Sequence, residues 1–128
     1  MEVRAGMSKV VLTIGPDCTL REAARQMAER GVGAAIVVDP DSPGPGIITE
    51  RDLLRAVAAG EDRDSELVRE HMSEDLISAS PDWSLEQAAG TMIEHNFRHL
   101  LVVDGAELAG VLSMRDIVRC WTSERVPG

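Results

Sequence analysis

Two short patterns in the sequence have the residue types and spacing of a ligand site: Thr49-x-x-Asp52 and Ser113-x-x-Asp116. In each, a hydroxyl residue precedes a short carboxylate at the predicted start of a helix. Such a carboxylate can accept both hydroxyls of a ribose, and the free N–H groups of a helix start can bind phosphate. The same pattern also predicts a plain capping box. The residues alone leave both interpretations open, although Asp is expected to reach back to the cap less well than the longer Glu and Gln.

Positively charged residues lie beside these patterns. Arg98-His99 opens a predicted strand, and Arg51 and Arg115 each stand directly before an aspartate of the pattern. Arginine offers a planar fork of donors to phosphate, and His99 adds one more donor. The simpler interpretation is that all four are solvated surface residues. Recurrence of the Arg-Asp pair in both patterns favours a functional role.

Other constellations do not predict catalysis or metal binding. His95 and His99 have helical i, i+4 spacing, but Asn96 is expected to end the helix between them, and no carboxylate or cysteine completes a metal set. Cys18 and Cys120 lack the spacing of a disulfide framework or metal motif. No Ser-His-Asp or Cys-His set or phosphate-cradling glycine loop is present. We therefore expect no metal and no enzyme.

Composition narrows the class of partner. The chain has 128 residues, 44% of them hydrophobic, with a net charge of −9 and a pI of about 4.7. Nucleic-acid binding normally needs a clustered basic face, which this acidic sequence lacks. No apolar run has the length of a signal peptide or a membrane span. The sequence thus predicts a cytoplasmic protein with no nucleic-acid or membrane partner.

The elements that must position these residues come from a tandem repeat. The segment VRAGMS at residues 3–8 returns as VREHMS at residues 68–73, and a shift of 65 residues, later 64, aligns the two halves. The one-residue change falls in a predicted turn, where insertions are tolerated. Asp52 thereby aligns with Asp116. We divide the chain into copies at residues 1–60 and 61–128, with the charged segment EDRDS as the linker.

Each copy predicts the same order of elements. A short apolar strand (Val10 to Ile14; Leu76 to Ala79) precedes an amphipathic helix, a two-stranded hairpin and a second helix, from Glu50 to Ala59 and from Met114 to Trp121. The first helices carry capping boxes and left-handed C-caps, at Thr19 with Glu22, Ser84 with Gln87, Gly31 and Asn96. One copy is too small to bury its own sheet well. The prediction is an α+β fold of two β-α-β-β-α units packed sheet to sheet with pseudo-two-fold symmetry.

In this order, the motifs VREHMS, PDCTLREAARQM, PDWSLEQAAGTM, GVGAAIVVD, FRHLLVVD, GIITERDLL and GVLSMRDIV resemble the CBS domain pair, or Bateman module, over nearly the whole chain. The resemblance implies a regulatory module that binds an adenosine nucleotide, such as AMP, ATP, S-adenosylmethionine or a dinucleotide, between its two motifs. It also implies a homodimer and a separate effector protein. The alternative is a CBS scaffold that keeps the fold without the ligand and mediates dimerisation or protein–protein interaction.

The resemblance also assigns roles to residues. It makes Asp52 and Asp116 the ribose contacts, and it places Arg98 and His99 at the phosphates of the nucleotide held by Thr49 and Asp52. The positions that match Arg98 and His99 in the first copy are Gly33 and Ala34, whose small size could leave room for ribose and adenine or merely allow close packing. We therefore expect two unequal sites. The site with Ser113 and Asp116 lacks a cation from the other copy, and the alternatives for it are weak binding, binding of a neutral adenosine moiety, or no ligand.

The adenine would be read at the ends of the first strands. By resemblance to the family, the backbone at Thr13-Ile14 and at Ser78-Ala79 contacts the edge of the ring, and apolar side chains sandwich it. Core packing explains Ile14 equally well.

Overall fold

The repeat in the sequence becomes two three-stranded sheets, each accompanied by helices. The computed structural model describes residues 1–42, 44–74 and 77–125, with side chains as far as residue 123. The chain forms two compact units, one of Val11–Asp75 and one of Met1–Val10 with Leu76–Gly128. We call them the first-sheet unit and the second-sheet unit. They divide the chain at other places than the repeat, whose copies meet between residues 60 and 61.

In chain order the elements are α1 (Val3–Gly6), β1 (Thr13–Ile14), α2 (Leu20–Arg30), β2 (Ala34–Val37), β3 (Gly46–Thr49), α3 (Glu50–Ala58), a 3₁₀ turn (Val68–Glu70), β4 (Ser78–Ala79), α4 (Leu85–His95), β5 (His99–Asp104), β6 (Glu107–Ser113) and α5 (Met114–Arg125). The predicted α+β class and the order of elements are confirmed. The first strand is shorter than the predicted Val10 to Ile14, since Val10 is 80% exposed and unpaired with the sheet. The predicted strand start at Leu76 lies outside the described residues.

Both sheets have the same topology. The central strand pairs in parallel with the short first strand and antiparallel with the third, in the orders β1-β2-β3 and β4-β5-β6. The antiparallel register places Ala34 opposite Thr49 in one sheet and His99 opposite Ser113 in the other. Each hairpin therefore brings the start of its central strand to the start of the helix that follows.

The helices α2 and α4 follow the predicted apolar stripe except at its last position, where Ala28 and Ile93 were expected to be buried and are exposed. Leu20, Ala23 and Met27 of α2 are at most 3% exposed, because the i, i+3, i+7 spacing puts them on one face. Both helices end on a left-handed residue as predicted, at Gly31 with φ 64° and at Asn96 with φ 57°. The backbone N–H of Glu22 donates to Oγ1 of Thr19 at 3.2 Å.

Each unit has its own aliphatic core. The first-sheet unit buries a cluster that includes Leu20, Val37 and Ile48, and the second-sheet unit one that includes Leu85, Val102 and Leu112. No helix in the described ranges is both long enough and apolar enough to cross a membrane.

The two segments that lead into the repeat copies are exchanged between the units. We call residues 1–8 and 66–73 the lead segments. Val3 is fully buried in the core of the second-sheet unit, and Val68 is fully buried in the core of the first-sheet unit. The lead segment of each sequence copy therefore packs in the compact unit built on the other copy. For the same reason the segment EDRDS lies inside the first-sheet unit, where the N–H of Arg21 donates to the backbone oxygen of Arg63 at 3.0 Å.

Candidate functional site

The hairpin of the first-sheet unit assembles one set of predicted residues. Ala34 pairs with Thr49, and the backbone N–H of Glu50 donates to the oxygen of Gly33 at 2.9 Å. Thr49 is both the last residue of β3 and the N-cap of α3. The structure thus brings Gly33, Ala34 and Thr49 together at the N-terminal end of α3, where N–H groups point outward without intrahelical partners.

Thr49 and Asp52 cap α3 reciprocally. Oδ2 of Asp52 accepts from the backbone N–H of Thr49 at 2.8 Å and from its hydroxyl at 3.0 Å. The N–H of Asp52 lies 3.3 Å from the Thr49 hydroxyl oxygen. No partner for Oδ1 of Asp52 is found among the described residues. The carboxylate is therefore fixed in orientation by one oxygen while the other remains available.

The second-sheet unit repeats the cap with one difference. Oδ2 of Asp116 accepts from the N–H of Ser113 at 2.9 Å, and the N–H of Asp116 donates to the Ser113 hydroxyl at 3.0 Å. Here Oδ1 also accepts from Nη2 of Arg119 at 2.8 Å, and the Asp116 side chain is only 14% exposed. Sequence reasoning missed Arg119, although its i, i+3 spacing from Asp116 was a usable signal.

Glu22 and Gln87 were expected to return a hydrogen bond to their N-caps more readily than the shorter Asp52 and Asp116, and this prediction is wrong. Asp52 and Asp116 both reach back to their N-caps, whereas in the described structure neither Glu22 nor Gln87 makes the return bond. Glu22 instead pairs with Arg25, and this hydrogen bond holds the pKa of its carboxyl below the usual value. A long side chain has alternatives along the helix surface, while a short carboxylate at the third position has few.

Arg98 and His99 lie at the corresponding end of the second sheet. His99 pairs with Ser113, and the N–H of Met114 donates to the oxygen of Arg98 at 2.9 Å. The Arg98 side chain is exposed and His99 is half-buried. The structure thus places both in one unit with Ser113 and Asp116. That Arg98 and His99 bind the phosphates of the nucleotide held by Thr49 and Asp52 stays a prediction from the family resemblance.

The remaining predicted residues divide by exposure. Ile14 is 7% exposed and belongs to the core of its unit, so its side chain packs inward and only its backbone can face a ligand. Thr13 and Ser78 alternate to the opposite face of their strands and are exposed. Arg51 is half-buried and Arg115 is exposed. Each precedes its capping aspartate on the first turn of a helix.

The histidine pair lies in two different elements. His95 is the last residue of α4 and stacks on Phe97 with ring centroids 5.6 Å apart, while His99 begins β5. Within the described ranges no three His, Cys, Asp or Glu side chains are grouped in a way that could hold a metal ion.

Comparison with known proteins identifies both copies. The CBS domain family model matches residues 2–59 and again residues 68–122. The CBS domain-containing protein YhcV of Bacillus subtilis is 38% identical over 116 residues, covering 90% of this chain and 81% of that protein. Three other curated relatives are longer, and the chain spans 66%, 57% and 43% of their lengths.

Two solved structures carry ligands. The CBS domain protein PAE2072 from Pyrobaculum aerophilum, complexed with AMP, is 30% identical with a TM-score of 0.80, over 96% of this chain and 99% of that one. The CBS domain pair of protein MJ0100, in complex with 5′-methylthioadenosine and S-adenosyl-L-methionine, is 25% identical with a TM-score of 0.84, over 98% of both chains. With two family matches over most of its length, this chain belongs to the CBS domain family and carries two CBS motifs in tandem.

Proposed function

We propose that this chain is a regulatory module that binds an adenosine nucleotide through Thr49 and Asp52 and passes the signal to a partner protein. Support comes from the two CBS proteins whose structures hold AMP, 5′-methylthioadenosine and S-adenosyl-L-methionine. These ligands share one chemistry, an adenosine whose ribose offers two neighbouring hydroxyls. A carboxylate is the side chain that accepts from both at once.

The observation that carries the proposal is the fixed carboxylate of Asp52. Two donors of Thr49 hold Oδ2, at 2.8 and 3.0 Å, so the side chain is oriented before any ligand arrives. A ribose hydroxyl can bind Oδ1 without breaking the cap, and a prearranged acceptor costs little ordering entropy on binding. The first turn of α3 supplies N–H groups and a positive dipole end for phosphate.

We propose that Asp116 binds more weakly. Its Oδ1 already accepts from Arg119 at 2.8 Å, so a ribose hydroxyl must share or displace that ion pair. By the family pattern, Arg98 and His99 add phosphate donors to the nucleotide of Asp52, whereas Gly33 and Ala34 can add no charge to the other. The adenine contacts are assigned to Thr13, Ile14 and Ser78, with Arg51 and Arg115 as further phosphate donors.

A homodimer is the proposed assembly. Leu54 and Val57 of α3 are 69% and 49% exposed, and the aligned residues of α5, Val118 and Trp121, are 52% and 37% exposed. Apolar pairs repeated on equivalent helix faces suit an isologous interface.

Regulation further requires that the nucleotide bind two conformations of the chain, or of its complex with the partner, with different affinity.

The test is isothermal titration with AMP, ATP and S-adenosylmethionine, using Asp52→Asn and Asp116→Asn as a matched pair. Asparagine keeps an oxygen for the cap but replaces the second acceptor with a donor. We expect Asp52→Asn to weaken binding at least about tenfold, since it removes a charge-assisted hydrogen bond. Asp116→Asn should change the affinity of the tighter site less than about twofold.

The alternative is a scaffold without ligand, and the reciprocal caps at Asp52 and Asp116 are the observation that favours it. If the carboxylates serve only α3 and α5, none of the three compounds will produce heat or a thermal shift with the folded protein. The same result would contradict the proposed nucleotide function for these ligands.

A further inference from the structure

The two lead segments dock by the same set of contacts. In the second-sheet unit the N–H groups of Val3 and Leu85 donate to the oxygens of Trp83 and Met1, at 2.8 and 3.0 Å. In the first-sheet unit the aligned groups of Val68 and Leu20 donate to Cys18 and Glu66, at 2.8 and 3.1 Å. Each site therefore recognises one backbone conformation with a valine that fills the core.

The far end of each lead segment is bound as well. Ser8 and Val111 exchange both backbone hydrogen bonds, at 2.9 and 3.0 Å, and Ser73 does the same with Ile47 at 2.9 Å each. An ion pair adds to each site, Arg4 with Asp82 and Arg69 with Asp17. The docking site is thus defined along the whole segment, from residue 1 to residue 8.

Two glycines fit the sites to the segments. The backbone oxygen of Ser8 lies so close to Gly110 that a Cβ there would overlap it. At the aligned Gly46, a Cβ would lie 2.9 Å from Sδ of Met72 and 3.2 Å from the oxygen of Ser73. A Cβ at Gly110 would overlap backbone, and a Cβ at Gly46 would crowd the Ser73 oxygen and displace the flexible Met72 side chain, so each sheet edge is shaped to receive a backbone.

Residues 1–8 are not adjacent in sequence to residues 76–128, the part of the second-sheet unit in which they are bound. They contact residues 81–85 and 111, but the chain continues through Lys9 and Val10 into the first-sheet unit. Lys9 is exposed and Val10 is 80% exposed, so neither residue anchors the connection in a core. The contacts that hold this segment in the second-sheet unit therefore come from residues 1–8 themselves and not from the connection that follows them.

We propose that a second copy of this chain can supply the segment, so that two chains dimerise by exchanging residues 1–8. Every hydrogen bond, the buried Val3 and the Arg4–Asp82 pair are the same in the exchanged form. Only the path through residues 9 and 10 differs, so the exchanged dimer loses few contacts relative to the monomer. The fraction of exchanged dimer then depends on the protein concentration relative to the effective concentration of a chain's own segment at its own site. Its residues differ from those assigned to the nucleotide and from the exposed apolar pairs of α3 and α5.

The geometry of Glu2 and Ser84 provides the test. They are antiparallel partners flanked by the bonds Val3 to Trp83 and Leu85 to Met1, which makes them a non-hydrogen-bonded pair. The Cα atoms of such a pair lie about 4.5 Å apart, within the range of roughly 4.4 to 6.8 Å that a disulfide spans. Cysteines placed at these positions in two different chains can meet this way only if the segment of one chain occupies the site of the other.

The experiment mixes two single-cysteine chains, Glu2→Cys and Ser84→Cys, with Cys18 and Cys120 replaced by serine in both. They are unfolded together, refolded at several protein concentrations and oxidised with glutathione. The control mixture pairs Ser84→Cys with Lys9→Cys, whose exposed cysteine lies one residue beyond the segment and does not stand opposite residue 84. We expect at least about tenfold more disulfide dimer from the first mixture, falling on dilution and in the presence of a peptide of residues 1–9.

Equal cross-linking in the two mixtures at every concentration would overturn the proposal. Since Ser84 also caps α4 by accepting from the N–H of Gln87 at 3.0 Å, a second mixture of Ser8→Cys and Val111→Cys chains guards against loss of folding. Its cysteines stand in a hydrogen-bonded pair, about 5.5 Å apart and still within reach. Failure of both mixtures to exceed the control, with the folded helix content confirmed by circular dichroism, leaves no exchanged form.

Discussion

Oδ2 of Asp52 accepts a hydrogen bond from the backbone N–H of Thr49 at 2.8 Å, so the proposed ribose ligand is at the same time half of a helix cap. The two roles use different oxygens of one carboxylate and do not exclude each other. A substitution that removes the carboxylate acts on both, however. Loss of binding in an alanine variant therefore cannot be assigned to the ligand contact until the cost to α3 is known.

The first prediction separates those roles by stability. Asp52→Ala removes the acceptor from the N–H of Thr49 and should lower the free energy of unfolding by about 1 kcal/mol. Asp52→Asn should cost roughly half of that or less, since its amide oxygen can still accept the bond. Urea unfolding followed by circular dichroism measures both. Equal losses for the two variants would mean that the charge at the helix start, rather than the hydrogen bond, stabilises α3.

The capping chemistry marks one limit of sequence reasoning. The hydroxyl-x-x-acid pattern correctly located the starts of α2, α3 and α5, because the pattern is local and the helix start needs its donors satisfied. Which acid completes the cap depended on competition from elsewhere. Glu22 was drawn to Arg25 three residues on, whereas Asp52 was too short to find another partner.

The exchanged lead segments mark a second limit. The shift of 65 residues shows that Val3 and Val68 are equivalent, and their apolar character predicts that both are buried. It cannot say which of two equivalent cores receives which valine, because both assignments satisfy the same pattern. Only the path of the chain through Val10 and Val11 decides this, and that path carries no periodic signal.

The second prediction tests whether, within one chain, each lead segment packs in the compact unit built on the other copy. Val3→Ala removes two buried methyl groups from the second-sheet unit and should destabilise it by about 2 kcal/mol. Amide hydrogen exchange by mass spectrometry should then quicken in α4, β5 and β6 and change little in α2. Val68→Ala, its matched variant, should quicken exchange in α2, β2 and β3 instead. The opposite assignment would mean that each lead segment docks on its own copy.

The third prediction concerns the glycine beneath the first lead segment. Gly110→Ala forces its Cβ against the backbone oxygen of Ser8, so the bonds between Ser8 and Val111 must break. We expect a loss of about 2 kcal/mol or more of stability, from two hydrogen bonds and the strain of the displaced segment. Differential scanning calorimetry measures the change.

Gly90→Ala is the control for that measurement. Gly90 lies within α4 with open space around its Cβ position, and alanine should stabilise the helix by about 0.5 to 1 kcal/mol. If Gly110→Ala were also neutral or stabilising, residues 1–8 would not be bound as closely to β6 as their hydrogen bonds indicate.

The fourth prediction addresses the proposed dimer. Leu54→Glu and Val118→Glu each replace one residue of an exposed apolar pair with a charged residue, at aligned positions of α3 and α5. Burying an unpaired charge in an interface is costly, so each variant should shift the dimer dissociation constant upward by at least about tenfold. Light scattering after size-exclusion chromatography measures the mass. Ile93→Glu, on an exposed residue of α4 outside these pairs, should leave the mass unchanged.

The fifth prediction concerns acid stability and rests on Arg21, whose guanidinium donates to Asp64. This hydrogen bond holds the pKa of the Asp64 carboxyl below its ordinary value. A carboxyl with a lowered folded-state pKa contributes stability above its unfolded pKa, near 4, and loses it as the pH falls through the folded value. Asp64→Asn should therefore lower the melting temperature slightly at pH 7 and by less at pH 3.

The pair is exposed, so the difference at pH 7 should be small, about 2 °C or less, and should shrink further in 1 M salt. Arg21→Gln provides the matched variant, because it removes the same pair from the other side and should show the same dependence on pH. A melting temperature for Asp64→Asn that differs from the parent equally at pH 7 and pH 3 would assign the effect to the backbone of the 62–66 turn. In that turn the N–H of Asp64 donates to Asp62 at 3.0 Å whether or not the ion pair is present.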